Sequence, residues 1–207
     1  MAAPFRIAVL VSGSGTNLQA LIDTLHGEEV EIVAVASSRP QTRGLERAER
    51  AGLDTAVFAS DGGSGREVRD AALGDWLEAR GVELVVLAGW MELLGPAFVS
   101  RFSGRIINVH PSLLPAFPGL RAIEQALEHG VKLTGVTVHF VDAGVDSGAV
   151  ILQEAMELSY PAAIADIEQR VHDIEHRLLP SAVRMIAQGR VRLEPCNPRT
   201  VLIDNGV

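Results

Sequence analysis

The sequence predicts an α/β fold: a single domain with a doubly wound, mostly parallel sheet and helices on both faces. Three observations predict it. Short, nearly continuous apolar runs recur along the chain, as strands buried on both faces require. Segments with apolar residues at helical spacing alternate with those runs. No shift in composition marks a linker, and no internal repeat is present.

Phe5–Val11 is the first strand, closed by the small-residue turn Ser12–Asn17. A helix follows, with Leu18, Leu21, Ile22 and Leu25 on one face. Glu31–Ala36 is the next strand, Leu45–Ala51 a helix and Thr55–Phe58 a short third strand. Asp61–Gly65 reads as a loop, and Arg66–Arg80 as a helix whose apolar face is Val68, Ala72, Trp76 and Leu77. Glu83–Ala88 is a strand, Pro96–Phe102 a short helix and Arg105–Val109 a further strand that runs into the Pro-rich loop His110–Gly119. Ala122–His129 is helical, and Leu133–Val141 and Ala149–Ala155 are two more strands. The longest helical stretch, Ala162 to Gln188, carries an apolar stripe from Ile164 to Ile186, and Pro180 is expected to bend or interrupt it.

The chain has 207 residues and a formal net charge of −8, with 47% hydrophobic and 21% charged residues. That composition excludes a disordered chain. The acidic balance argues against nucleic acid or anionic membrane as partner, since both need a basic face. No apolar segment is long enough for a signal peptide or a membrane span, so a cytoplasmic location is expected. The single cysteine, Cys196, has no internal partner and lies between Pro195 and Pro198, which suits a solvent-near thiol in a reducing compartment.

Chemistry has three candidate places. In the turn Ser12-Gly13-Ser14-Gly15-Thr16-Asn17, small residues let the backbone approach a ligand, and N–H groups at a helix N-terminus attract an anion. The third glycine of a dinucleotide fingerprint is replaced by Leu18, and no Lys-Ser/Thr follows as in a P-loop; a phosphate-sized anion or a plain helix-capping turn remains. The second place is the strand end carrying Asn108 and His110, which at a spacing of two point to one face. An amide donor to stabilise an oxyanion and an imidazole to handle a proton are what acyl transfer needs. Pro111, Pro115 and Pro118 stiffen the loop behind them, and the alternative is an Asn capping its own turn beside a backbone-bound His. The third is the loop Val141–Gly148, where Asp146 is a candidate to orient His110 or to hold a water beside it and Asp142 is a candidate turn residue; for both the alternative is a hairpin-like loop, in which Asp is common for local hydrogen bonding. His172 and His176 stand at i, i+4 but lack the glutamate of a zinc helix, and no G-x-S-x-G elbow is present.

Taken in order, SGSGTNLQALID, LAGWMELLGPAFV, RIINVHPSLLPAFPGL, GVTVHFVDAGVDSGAVILQ and VHDIEHRLLP resemble the folate-dependent formyltransferases over about residues 5 to 193. The SGxGTNLQA turn and the total length narrow the resemblance to the glycinamide ribonucleotide formyltransferases. It implies a Rossmann-like formyltransferase domain over residues 1–193, with a tail at 194–207 that has no assignable role and is compatible with disorder. It also implies 10-formyltetrahydrofolate as co-substrate, 5'-phosphoribosylglycinamide as acceptor and no metal. By the same resemblance Asn108, His110 and Asp146 are catalytic, and Gly15, Thr16, Asn17 and Glu175 bind the ribonucleotide. Arg66, the segment Met91, Glu92, Leu93 and Leu94, and the loop Asp142, Ala143, Gly144 and Val145 form the folate pocket; His139 is structural. The chain departs from the family pattern at Glu92, where a basic residue is common, at Ala116, and at Arg121-Ala122-Ile123. A formyltransferase acting on an amino sugar nucleotide shares the trio and is the nearest rival. A non-catalytic phosphometabolite-binding module on the same fold is another, disfavoured because a mere binder has no need of a strand-end imidazole paired with a carboxylate. Monomer and homodimer are both open.

Overall fold

A computed structural model describes residues 3–59 and 65–204 of the chain. The main sheet has seven strands in the order β3-β2-β1-β4-β5-β6-β7, with β1 at Phe5–Val11, β2 at Val30–Ser37, β3 at Thr55–Val57, β4 at Leu84–Leu87, β5 at Ile106–His110, β6 at Leu133–Phe140 and β7 at Val150–Glu157. The pairs β1/β2, β1/β4 and β2/β3 are parallel, and β6/β7 is antiparallel. The chain divides into two compact units, residues 1–107 and 108–207.

In the first unit, strands alternate with α1 (Thr16–Leu25), α2 (Arg43–Arg50), α3 (Gly65–Glu78) and α4 (Pro96–Arg101). Ile7 to Val11 of β1 and Leu84 to Val86 of β4 are wholly or almost wholly buried, which is why these segments read as unbroken apolar runs. The α2 helix starts where Thr42 Oγ1 accepts from Leu45 N–H at 3.3 Å, satisfying one of the free donors of the first turn. The predicted face of α3 shares only Leu77 with the observed one. Val68 is 72% exposed, and the buried residues are Arg69, Asp70, Leu73, Gly74 and Leu77. Hydrophobic pattern alone misplaces this face because two buried charges pair with each other there. The expected loop at 61–64 lies outside the described residues.

In the second unit, β5 leads through the 111–121 loop to α5 (Ala122–Glu128), and the β6/β7 hairpin is covered by α6 (Ile164–Ala187). Pro180 does not interrupt α6: it sits buried inside the 24-residue helix. Packing of the apolar stripe through Ile167, Val171, Ile174, Leu179 and Val183 outweighs the one lost helical hydrogen bond. The end of the chain, compatible with disorder by sequence, carries a further element. Instead of a tail without structure, Val191–Glu194 (β8) and Asn197–Ile203 (β9) pair as an antiparallel hairpin with Cys196 exposed in its turn. No helix among the described residues is long and apolar enough to cross a membrane.

Candidate active site

The Ser12–Asn17 turn owes its shape to Gly15. Its φ of 68° lies in the left-handed region, and a Cβ there would stand 2.5 Å from Gly44 Cα of α2. Gly15 is the N-cap of α1, and Gly44 N–H donates to Gly13 O at 3.0 Å, so the turn lies on the start of α2. Arg47 braces it from α2, with Nε donating to Ser14 O at 3.0 Å and Nη1 to Gln19 Oε1 at 3.1 Å. Asn17 is buried and Thr16 half-buried. Arg66 is exposed on the first turn of α3. In the segment after β4, Met91 and Leu93 are exposed while Glu92 and Leu94 are half-buried.

In the second unit, the three residues expected to carry chemistry meet. Asn108 and His110 leave β5 on one face, and Asp146 comes from the loop between β6 and β7. Asp146 Oδ1 accepts from Asn108 Nδ2 at 3.3 Å, and Oδ2 lies 3.3 Å from His110 Nδ1. Oδ2 also accepts from Gly119 N–H at 2.7 Å, which ties the Pro-rich loop to the same carboxylate. His110 Nε2 donates to Phe117 O at 2.9 Å, so both ring nitrogens of His110 face acceptors. His110 is 5% exposed. Burial pushes the Asp146 carboxyl up. Hydrogen bonding from His139 and from Gly119 N–H, with the imidazoles of His110 and His139 nearby, overrides that and lowers it from 3.8 to about 2.

Backbone strain concentrates around this cluster. Asp146 has φ 49°, Phe117 φ 53° and Arg121 φ 60°. Non-glycine residues in the left-handed region cost about 1–3 kcal/mol each and persist where surroundings over-determine them. For Phe117 that conformation aims its carbonyl at His110; for Asp146 it aims the carboxylate at three partners. The loop behind His110 is also pinned through Thr137 of β6, whose Oγ1 donates to Ser112 O at 2.7 Å and accepts from Leu114 N–H at 3.1 Å.

His139, expected to be structural, stands beside the trio. Buried on β6, its Nδ1 donates to Phe140 O at 2.8 Å, while Nε2 lies 3.3 Å from Asn108 Nδ2 and 3.6 Å from Asp146 Oδ1. The signal in the sequence is its spacing of two from Thr137, which puts both on one face of β6. Asp142 is a turn residue: its Oδ1 accepts from Gly144 N–H at 2.9 Å and from Ser147 Oγ at 2.7 Å, holding Ala143, Gly144 and Val145 exposed. Glu175 is buried on α6. His172 and His176 stack on α6 with ring centroids 6.0 Å apart, and no group of three or more His, Cys, Asp and Glu among the described residues is placed to hold a metal ion.

The arrangement offers an amide and an imidazole set by one ionised carboxylate, the equipment to stabilise charge on an oxygen and pass a proton. Comparison with known proteins points to one family. Residues 5–183 match the family described as formyl transferase. The chain is 41% identical over 191 residues to phosphoribosylglycinamide formyltransferase of Haemophilus influenzae, covering 91% of this chain and 90% of that protein. It is 44% identical over 194 residues to the trifunctional purine biosynthetic protein adenosine-3 of Drosophila melanogaster, covering 92% of this chain but 14% of that much longer protein. Among solved structures, glycinamide ribonucleotide transformylase 1 of Symbiobacterium toebii superposes with a TM-score of 0.91 at 48% identity, over 97% of this chain and 94% of that one.

Proposed function

This chain belongs to the formyl transferase family, and on that premise we propose that it transfers the formyl group of 10-formyltetrahydrofolate to the amine of 5'-phosphoribosylglycinamide, in purine biosynthesis in the cytoplasm. Residues 1–193 are its formyltransferase domain. The observation that carries this reading is the single carboxylate of Asp146 shared by Asn108 and His110.

In this mechanism the amine nitrogen of the acceptor attacks the formyl carbon, and the carbonyl electron pair moves onto the formyl oxygen. Asn108 Nδ2 and the His110 imidazole donate to that oxygen as its charge develops. Asp146 holds His110 in orientation and balances its charge, as a buried carboxylate does for the imidazole in other acid–base pairs. Collapse of the intermediate breaks the bond from carbon to N10, and the proton lost by the attacking amine ends on N10, relayed through His110 or a water held by Asp146. The products are the formylated ribonucleotide and tetrahydrofolate. Holding amine and formyl group together supplies effective molarities of roughly 10⁵ M or more.

Gly15, Thr16 and Asn17 take the ribonucleotide phosphate in this reading, supported by their place at the N-terminus of α1, in a tight turn exposed at Gly13 and Ser14. Glu175 contacts the glycinamide. Arg66, Met91–Leu94 and Asp142–Val145 receive the folate, supported by the exposure of Met91, Leu93 and Val145 at 58%, 62% and 56%, which leaves their apolar side chains open to a ligand. The test is the absorbance change of 10-formyltetrahydrofolate in the presence of the glycinamide acceptor, of an amino sugar nucleotide, or of neither. Turnover with the glycinamide acceptor alone is expected. Turnover with the amino sugar nucleotide alone would overturn the assignment of substrate.

A further inference from the structure

The face that α3 buries is charged, and it is aimed at the segment after β4. Arg69 and Asp70 are 5% and 4% exposed. Arg69 Nε and Nη2 donate to Asp70 Oδ1 at 2.9 and 2.7 Å. The rest of the guanidinium reaches the 91–95 segment: Nη2 donates to Leu93 O at 2.8 Å and Nη1 to Glu92 Oε2 at 3.3 Å. The other oxygen of Asp70 accepts from Gly95 N–H at 2.6 Å. A third buried side chain completes the set, for Ser12 Oγ accepts from Met91 N–H at 2.9 Å.

Residues 91–95 form no helix or strand, so no repeating ladder satisfies their backbone. Instead a backbone group of every second residue, 91, 93 and 95, is tied inward by a buried side chain. The apolar side chains of Met91 and Leu93 are left facing outward. Burying an ion pair is a weak way to gain stability compared with apolar packing, and is better explained where it fixes one conformation. The planar fork of arginine suits this task because it reaches a carboxylate, a carbonyl and a second carboxylate at once, which a lysine does not.

We propose that Arg69 and Asp70 are positioning residues for the folate co-substrate, holding residues 91–95 so that Met91 and Leu93 present a fixed apolar wall to its ring system. This inference rests on the reading of that segment as part of the folate pocket. Glu92 belongs to the clamp: its carboxylate lies 3.3 Å from Arg69 Nη1.

The test is Arg69→Lys in the full-length protein, with Asp70→Asn as second variant if the first does not fold, because its one amide oxygen still accepts from Arg69 while the bond from Gly95 N–H is lost. KM for each substrate, kcat, the melting temperature and the calorimetric Kd of tetrahydrofolate are read together. Loss of one charge-assisted anchor is expected to raise the folate KM and the tetrahydrofolate Kd about tenfold, with the ribonucleotide KM and kcat nearly unchanged. A folded variant with unchanged tetrahydrofolate Kd overturns the inference, as does an equal rise in both KM values. Wild-type protein that binds tetrahydrofolate in a clamp-dependent way but transfers no formyl group would remove the proposed reaction and leave the clamp standing. Normal turnover with clamp-insensitive folate binding would do the reverse.

Discussion

Replacing Asp146 by Asn keeps the shape of the side chain and removes its charge. In the wild-type arrangement one oxygen takes Asn108 Nδ2 and the other takes Gly119 N–H beside His110 Nδ1. An amide turned to keep its oxygen on Gly119 puts its NH2 against Asn108 Nδ2; turned the other way, it meets the Gly119 N–H. Either choice sets a donor against a donor. A unit charge 3.3 Å from His110 is worth about 5 kcal/mol at an effective dielectric of 20, an upper bound on what the carboxylate gives an imidazolium in the transition state. One mismatched buried hydrogen bond costs about 1–3 kcal/mol. Together these place the loss in kcat at roughly 10²- to 10⁴-fold, or about 2.7–5.4 kcal/mol of barrier. The assay is kcat with both substrates saturating, with a thermal melt to establish that the variant is folded. A folded Asp146→Asn enzyme within tenfold of wild type would refute the role given to this carboxylate.

The same carboxylate makes a prediction about acid stability. Because its folded pKa of about 2 lies below the ordinary 3.8, it stabilises the fold at pH values above 3.8 and loses that contribution as pH falls toward 2. Chemical denaturation should show the stability gap between wild type and Asp146→Asn shrinking by about 2 kcal/mol between pH 5 and pH 2. Gly15→Ala forces a left-handed φ on a residue whose Cβ would meet Gly44 Cα at 2.5 Å. It should cost at least about 2 kcal/mol, lowering Tm by roughly 4–8 °C, and raise the ribonucleotide KM. Thr137→Val strips Leu114 N–H and Gln153 Nε2 of their buried acceptor and Ser112 O of its donor. A loss of about 2–4 kcal/mol in denaturant unfolding is expected, with a fall in kcat because the loop after His110 loosens.

Much of this was legible in the residue pattern, and the exceptions have physical causes. β1 was read at Phe5–Val11, where the structure places it, because a strand buried on both faces leaves an unbroken apolar run. The pairing of Asn108 with His110 followed from strand periodicity alone. That Asp146 meets both depends on the register of the β6/β7 hairpin and on a left-handed backbone at Asp146, neither of which local sequence declares. The contact of His139 with Asn108 is not legible for the same reason: it is made across the sheet, 31 positions away in sequence. The buried face of α3 is not legible from amphipathicity, which treats charge as solvent-facing, and Arg69 and Asp70 escape that rule by pairing. The β8/β9 hairpin is not legible, because β8 has only four residues and Pro195, Cys196 and Pro198 dominate the local composition.

The most direct measurement follows the formyl carbon itself. The protein would be incubated with 10-formyltetrahydrofolate carrying an isotopically labelled formyl group, together with 5'-phosphoribosylglycinamide, and the products separated and analysed by mass spectrometry. The label should appear on the glycinamide nitrogen, in amounts equal to the tetrahydrofolate released, and should vanish when the ribonucleotide is omitted. Label recovered as free formate, at a rate indifferent to the ribonucleotide, would contradict transfer and make the protein a hydrolase of the folate.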